Sequence, residues 1–370
     1  MIALAVFFLA IPPAVSAAIS ATFSFAATLV LTPILIALSN RLQLFDPPGP
    51  LKIHSRPVSR IGGAALVLGF LVGVVVSNWK LSEPYGYALL ALVILWLVGF
   101  LDDLFGLPVW FRLGAQTGVA SLLWFAGWRL PLAGSGWTSY PALIVFCIVF
   151  INAFNFLDGA DGLASSVALA IAAGFFVAFS LISSANSPGP SMAASLAGAC
   201  AAFLIFNFPP ARIFLGDSGS TLLGFAFALL ALEFYRVACA AQVNALRVLI
   251  FAQRHATPAI LFPAFVSLLP LIDFFFAVFR RLRRGASPLA GDRRHFYDLL
   301  LARGWTPGRV AITSAAVTCA LAALGCQALR LNWERAAGLF LWTVLLLGVV
   351  AGWLGAARSE DGSGSAPQAP

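Results

Sequence analysis

The sequence predicts an all-α fold: a polytopic membrane bundle of about eleven transmembrane helices. Three observations predict it. Apolar residues make up 61% of the 370 residues and charged residues only 10%, against about 45–50% and about 25% in a soluble globular domain. The apolar residues gather into long runs, not the short alternating segments of a transmembrane barrel. The chain keeps only 14 Asp plus Glu; nearly all are read at the end of such a run, and a few stand there in dense strings. Ionisable groups held at membrane depth are expensive and mark candidate functional sites.

Apolar runs fall near 10–39, 61–77, 85–101, 113–129, 139–156, 163–184, 191–207, 218–236, 257–279, 309–329 and 336–356. Each approaches the roughly 20 residues that cross the hydrocarbon core. The first ends at Asn40-Arg41. Met1 to Ala18 has no basic leading segment, so it reads as part of the first span or its approach, not as a cleaved signal peptide. Gly69 and Gly73, four apart in the second run, suit close helix packing. The stretch 237–256, with Arg247, Arg254 and His255, reads as a surface-lying amphipathic helix. Cys147, Cys200, Cys239, Cys319 and Cys326 lie in or beside apolar runs, none in a C-x-x-C pair, and read as packing residues. Residues 1–356 are thus expected to form one transmembrane domain, and 357–370 a disordered tail.

Charge orients the bundle. The loops 40–60, 102–112, 157–162, 208–217 and 280–308 and the tail after 356, together with Arg309 at the edge of the last loop, carry 15 of the 22 Lys and Arg, and the other face carries 7. The positive-inside rule makes the first face cytoplasmic, with the N-terminus outside and the C-terminus inside. The +8 net charge is then a matter of loop anchors and lipid headgroups, with no nucleic acid implied. All the acidic strings, and the His-containing loop 291–298, fall on this one face, which predicts a single shared site.

The strings themselves carry the chemistry. Asp102-Asp103 puts two like charges side by side, which need a cation or a shared proton; the bland reading is a solvated turn. Asn152, Asn155, Asp158 and Asp161 recur every three residues and line one drifting helix face. Gly159 and Gly162 break that helix and would let a ligand approach the backbone. Asp217 precedes Ser218-Gly219-Ser220 at the start of a span. Asp217 or Ser218 could cap that helix, and its N-terminus could also receive phosphate. A carboxylate there is a natural Mg²⁺ ligand, and capping and metal binding are compatible. The basic loop brings Arg280, Arg281, Arg283, Arg284, Arg293, Arg294 and His295, some as anchors and some as phosphate grips. The segment 46–63 adds Lys52, His54, Arg56 and Arg60 before a Gly-Gly, with anchor and phosphate readings evenly matched. Carboxylates, a divalent cation, arginines and helix N-termini together read as phosphoryl transfer between a soluble phosphorylated donor and a lipid acceptor.

Asp102-Asp103, the NxxNxxDGxDGL string from Asn152 to Leu163, Asn207, and Phe214-Leu-Gly-Asp217 resemble, in order and spacing, the polyprenyl-phosphate N-acetylhexosamine-1-phosphate transferases. The resemblance covers roughly 20 to 330. It implies a catalytic domain over 1–356 in a bacterial inner membrane, with the site on the cytoplasmic face. It implies transfer of sugar-1-phosphate from a UDP-N-acetylhexosamine to undecaprenyl phosphate, releasing UMP, as the first membrane step of O-antigen or another surface polysaccharide. Surrounding membrane lipid is the other expected partner, and a homodimer is admitted. Mg²⁺ is the implied cofactor, with Mn²⁺ as substitute and Asp217 as its ligand. Asp102 would deprotonate or orient the acceptor phosphate with Asp103 supporting it, and Asn155 and Asp158 would line the reacting phosphates. Asp161, Asn207 and Phe214 would form a uridine pocket. Asn152, Gly216, Lys52, His54, Arg293, Arg294 and His295 complete the expected substrate contacts.

The peptidoglycan branch of that family carries three consecutive His and a Thr-Pro-Thr-Met-Gly-Gly start to its second span; this chain has neither. The branch that initiates O-antigen and teichoic acids carries Asp-Arg-x-His-Ile-His-His after Ser-Pro. Here Ser287-Pro288 and Asp292 to His295 match, but Tyr297 and Asp298 replace the two later His. The donor sugar therefore stays open between N-acetylglucosamine and a modified hexosamine such as N-acetylquinovosamine or N-acetylfucosamine. Transfer from UDP-MurNAc-pentapeptide, a membrane transporter and an inactive scaffold are the competing readings.

Overall fold

Helices occupy every apolar segment read from the sequence. The computed structural model describes residues 12–46, 57–77, 83–130, 136–182, 187–245, 259–288 and 294–361. In chain order they form α1 (Pro13–Leu42), β1 (Phe45–Asp46), β2 (Val58–Ser59), α2 (Gly62–Val76), α3 (Tyr85–Phe105), α4 (Val109–Phe125), α5 (Ser139–Leu157), α6 (Leu163–Leu181), α7 (Gly189–Asn207), α8 (Gly216–Ala245), α9 (Leu261–Val266), α10 (Leu268–Arg283), α11 (Phe296–Ala302), α12 (Pro307–Ala328) and α13 (Trp333–Asp361). Eight of these, α1, α3, α5 to α8, α12 and α13, are long and apolar enough to cross a membrane. With 15 and 17 residues, α2 and α4 are shorter.

One expected span is corrected. The run at 257–279 is not a single helix but the pair α9 and α10, broken at Ser267. Pro270 has no N–H to give the Val266 carbonyl, so the ladder cannot run through. On either side of that gap the Ser267 N–H bonds the Pro263 carbonyl at 3.2 Å and the Leu271 N–H bonds the Ser267 carbonyl at 3.1 Å. Of the surface helix expected at 237–256, residues 246–256 lie outside the described residues, and α8 runs on to Ala245.

The centre of the bundle is α6, α7 and α8, whose apolar windows are 72%, 72% and 83% buried; the α13 window is 6% buried. The outward residues of α13, Trp342, Leu346, Val349 and Trp353 among them, form an apolar face suited to lipid. Phe175 and Phe179 of α6 meet Phe234 of α8 and Phe262 of α9 at ring separations of 4.9 to 6.1 Å, mostly edge to face. The glycine pair on α2 packs as expected: a Cβ at Gly69 would strike Thr28 of α1, and one at Gly73 would strike Ser195 of α7. Cys147 and Cys200 are buried, whereas Cys239 and Cys319 are exposed.

Two clamps hold α3 against α8. At one end lies the site described below. About 24 Å along α8 from Asp217, at 1.5 Å per residue, lies the other. There Glu233, 0% exposed, accepts from Tyr85 Oη at 3.2 Å, Ser187 Oγ at 2.6 Å and Arg236 at 3.0 and 3.1 Å. The buried carboxylate is thereby paired and fully bonded, the condition for keeping one in a bundle.

Packing of α8 on α5 is set by Gly224, where a Cβ would lie 2.5 Å from Ile151 Cα. Gly224→Ala is expected to cost about 1–3 kcal/mol and lower the melting midpoint in detergent. Gly338→Ala on α13, with nothing within 4 Å, is the control expected to leave the midpoint in place.

Candidate active site

Three helix ends meet at one end of the bundle. Gly106, at φ +65°, stops α3 and donates its N–H to the Asp102 carbonyl at 2.8 Å. The chain turns through Pro108 into α4, and Arg112 comes back to Asp102: Nη1 to Oδ2 is 2.8 Å, while Leu107 N–H takes Oδ1 at 2.6 Å. The same Nη1 lies 3.9 Å from Asp217 Oδ1. Arg112 therefore stands between the carboxylates of α3 and α8. The sequence reading counted it only as a loop anchor, although a cation at the start of the helix that follows Asp102 across a short turn was a usable signal.

Asp103 faces the other way. Its carboxylate accepts the N–H of Asp217 at 2.8 Å and of Ser218 at 3.0 Å, with Arg60 at 3.9 Å and a side chain 1% exposed. A negative cap on a helix N-terminus is favoured by the orphan N–H groups and the dipole. Two expectations are corrected by it. The cap of α8 is Asp103, not Asp217 or Ser218, and the N–H groups expected to receive phosphate there are already bonded. Gly216 is needed for packing: it has φ +72°, and a Cβ would sit 2.5 Å from the Arg60 carbonyl and 2.6 Å from Asp103. Its surroundings are this protein's own atoms. The Gly62 and Gly63 N–H groups are likewise engaged, by the Phe214 and Leu215 carbonyls at 3.1 and 2.9 Å.

With its backbone so held, Asp217 keeps a carboxylate 24% exposed, with Asn155 from the end of α5 beside it. Asp158 follows just beyond α5. Burial first, then the charges of Asp217 and Asp103, push its carboxyl up to about 8; Arg60 opposes this and Asp161 adds to it. Carboxylates that feel one another this strongly make a place for positive charge. Asn152 donates to Gln116 of α4 and to Ile148, both at 2.8 Å. Asp102, Arg112, Gln116, Asn152, Asn155 and Thr221 line one cavity, whose apolar wall is Leu95, Val98 and Gly99.

The three residues expected around uridine do meet on one loop, 208–215, but two of them brace it. Asp161 accepts the Ala211 N–H at 3.0 Å. Asn207, 4% exposed, gives Nδ2 to the Ile213 carbonyl and takes Ser165 Oγ on Oδ1, both at 2.9 Å. Both ends of the amide are engaged within the protein, so Asn207 shapes the loop. Phe214 is half-buried, its N–H on the Ser59 carbonyl at 2.7 Å beside the β1–β2 hairpin.

His295 is corrected too. Its imidazole is 5% exposed, with Nδ1 at 2.6 Å from Asp273 Oδ2 and Nε2 at 3.5 Å from Arg281. A carboxylate and a guanidinium buried in α10 need partners, and His295 supplies them. Asp298 accepts the His295 N–H at 3.2 Å and caps α11. Asp273 was not picked out from its apolar run. Gly159 is approached by Tyr297, not by a ligand. Arg294 is exposed, and Lys52, His54 and Arg293 lie outside the described residues.

Among the described residues no group of three or more His, Cys, Asp or Glu could hold a metal unaided. Mg²⁺ commonly takes one or two carboxylates and fills its shell with phosphate oxygens and water. The partly exposed carboxylate of Asp217, with Asp158 coupled to it, suits that set.

Residues 85–235 match the family model described as glycosyl transferase family 4. The chain is 30% identical over 304 residues to a decaprenyl-phosphate N-acetylglucosaminephosphotransferase of Mycobacterium leprae, covering 74% of each chain. It is 27% identical over 286 residues to a probable undecaprenyl-phosphate N-acetylglucosaminyl 1-phosphate transferase of Bacillus subtilis, covering 75% of each. It is also 33% identical over 234 residues to a phospho-N-acetylmuramoyl-pentapeptide-transferase of Moorella thermoacetica, covering 55% of this chain and 71% of that one.

Asp103→Ala would strip two N–H groups at the start of α8 of their acceptor. A loss of about 2 kcal/mol is expected, read as a lower melting midpoint of the purified protein in detergent.

Proposed function

From the premise that this chain belongs to glycosyl transferase family 4, we propose that it transfers a sugar phosphate to the phosphate of a polyprenyl lipid. The observation that carries the reading is Arg112 held between Asp102 and Asp217, beside Asn155, where three helix ends converge. A guanidinium among carboxylates is a pre-formed seat for phosphate oxygens that approach with a counter-charge.

In this reading the donor is a UDP-N-acetylhexosamine, N-acetylglucosamine by default, and the acceptor is undecaprenyl phosphate. Attack falls on the sugar-proximal phosphorus and UMP leaves. Asp217 would hold a divalent cation, Mg²⁺ or Mn²⁺, whose chemistry when bound is to neutralise the pyrophosphate. Arg112 grips a phosphate oxygen, and Asp102 fixes Arg112 and orients the acceptor. Asn155 donates to the reacting phosphates. Asp158, titrating at about 8, can hold or release a proton near neutral pH. Asp103 acts through the backbone of Asp217. The positive-inside count puts this end in the cytoplasm of a bacterial inner membrane, where a soluble nucleotide sugar and a lipid phosphate can meet. The product would begin a surface polysaccharide, O-antigen among them.

Convergence at one end argues against transport, which would string polar groups through the spans. The relative from Moorella keeps UDP-MurNAc-pentapeptide as a second donor to test, against the His295-Phe-Tyr-Asp298 sequence.

Purified protein should transfer labelled sugar phosphate from UDP-N-acetylglucosamine to undecaprenyl phosphate and should stop in EDTA. Asp217→Ala is expected to lose at least about a thousandfold; undiminished turnover would remove Asp217 from the metal. Arg112→Ala should lose about a hundredfold, and Arg112→Lys less, because an ammonium keeps the charge without the fork. Mass spectrometry of the lipid product over a donor panel identifies the sugar. Solute flux in proteoliposomes without any lipid product would favour the transporter.

A further inference from the structure

The back of the Asn155–Asp158 strip is braced by a side chain that the reaction scheme does not use. The last carbonyls of a helix have no partner within it. At the end of α5, the Phe156 carbonyl receives the Tyr297 hydroxyl at 3.1 Å. Three residues on, Gly159 offers the same phenol a place where any Cβ would collide with its oxygen and ring. Tyr297 thus touches the strip on both sides of Asp158.

Tyr297 is itself fixed. It is 6% exposed, and its ring lies parallel to that of His295, at 3° and 5.4 Å. His295 is tied to Asp273 through Nδ1 at 2.6 Å, and the Phe296 N–H reaches the other Asp273 oxygen at 3.0 Å. Arg281, from the same helix as Asp273, lies 4.5 Å over the Phe156 ring. A rigid bracket therefore runs from α10 through α11 to the end of α5.

We propose that Tyr297 is a positioning residue for the transfer reaction: by its bond to Phe156 and its seat on Gly159 it sets Asn155 and Asp158 against Asp217. Asn155 stands beside Asp217, and Asp158 feels its charge, so a shift of the strip misplaces two groups at once. The proposal rests on the sugar-phosphate transfer reading, because that reaction is its readout.

The test compares wild type, Tyr297→Phe, Tyr297→Ala, Gly159→Ala and the double variant, as full-length protein with UDP-N-acetylglucosamine and undecaprenyl phosphate. Tyr297→Phe keeps the ring and loses the hydroxyl. It should lower kcat about tenfold and leave both KM values within about twofold. Gly159→Ala should also lower kcat, and the double variant should be no slower than the slower single one, since the clash is gone with the ring. Wild-type kcat in Tyr297→Phe would overturn the proposal. So would losses that multiply in the double variant, which would give Gly159 a role toward ligand independent of Tyr297. A lower melting midpoint and yield with unchanged kcat per folded molecule would reduce Tyr297 to a structural contact and overturn it as well. A wild-type protein inactive with every donor would instead overturn the transfer reading, and the role of Tyr297 with it.

Discussion

The site depends on one carboxylate that does not face it. Asp103 takes the first N–H groups of α8 on both its oxygens, joining the end of α3 to the start of α8. Everything near Asp217 follows from this tie. Gly216 must be glycine because Asp103 and the Arg60 carbonyl fill the space a Cβ would need. Gly99 must be small because a Cβ would lie 2.7 Å from Ser218 Cα. The adjacent Asp102 then points the other way, into the cavity and toward Arg112. Consecutive residues of one helix end thus divide the work, one on architecture and one on the site.

Charge balance is the second constraint. Asp102, Asp103, Asp158 and Asp217 lie together in a chain that is 61% apolar, and among the described residues two arginines pair with them: Arg112 with Asp102 and Asp217, and Arg60 with Asp103. Asp158 registers the imbalance in its raised carboxyl. Such a cluster is poorly balanced when empty and better balanced with a divalent cation, which is the electrostatic logic of a site that binds anionic phosphates through metal.

The fold was legible because span length and apolarity are local properties. The break at Ser267 was not, since a run containing Pro263 and Pro270 stays apolar whether or not its hydrogen-bond ladder holds. Within the site, Asp102, Asn155, Asp158 and Asp217 were legible from spacing and do converge. The contacts of Arg112 and Gln116 were not, because they depend on the turn at Gly106 that folds α4 back on α3. Asn207 is read as a ligand contact through the family resemblance and His295 through its charged loop, whereas their partners, Ser165, Ile213, Asp273 and Arg281, come from elsewhere in the chain. Glu233 broke the expectation that acids sit at one end. It is buried beside Arg236, three residues on in its own helix, a pairing that the helical spacing alone could have suggested.

The clamp at Glu233 has a mechanical meaning. Helices α3 and α8 are joined at both ends, by Asp103 at one and by Tyr85 on Glu233 at the other. A pair pinned twice can tilt or bend, but it cannot slide. Shear from the surrounding lipid therefore acts on the pair as one body, and the spacing between Asp102 and Asp217 is shielded from it.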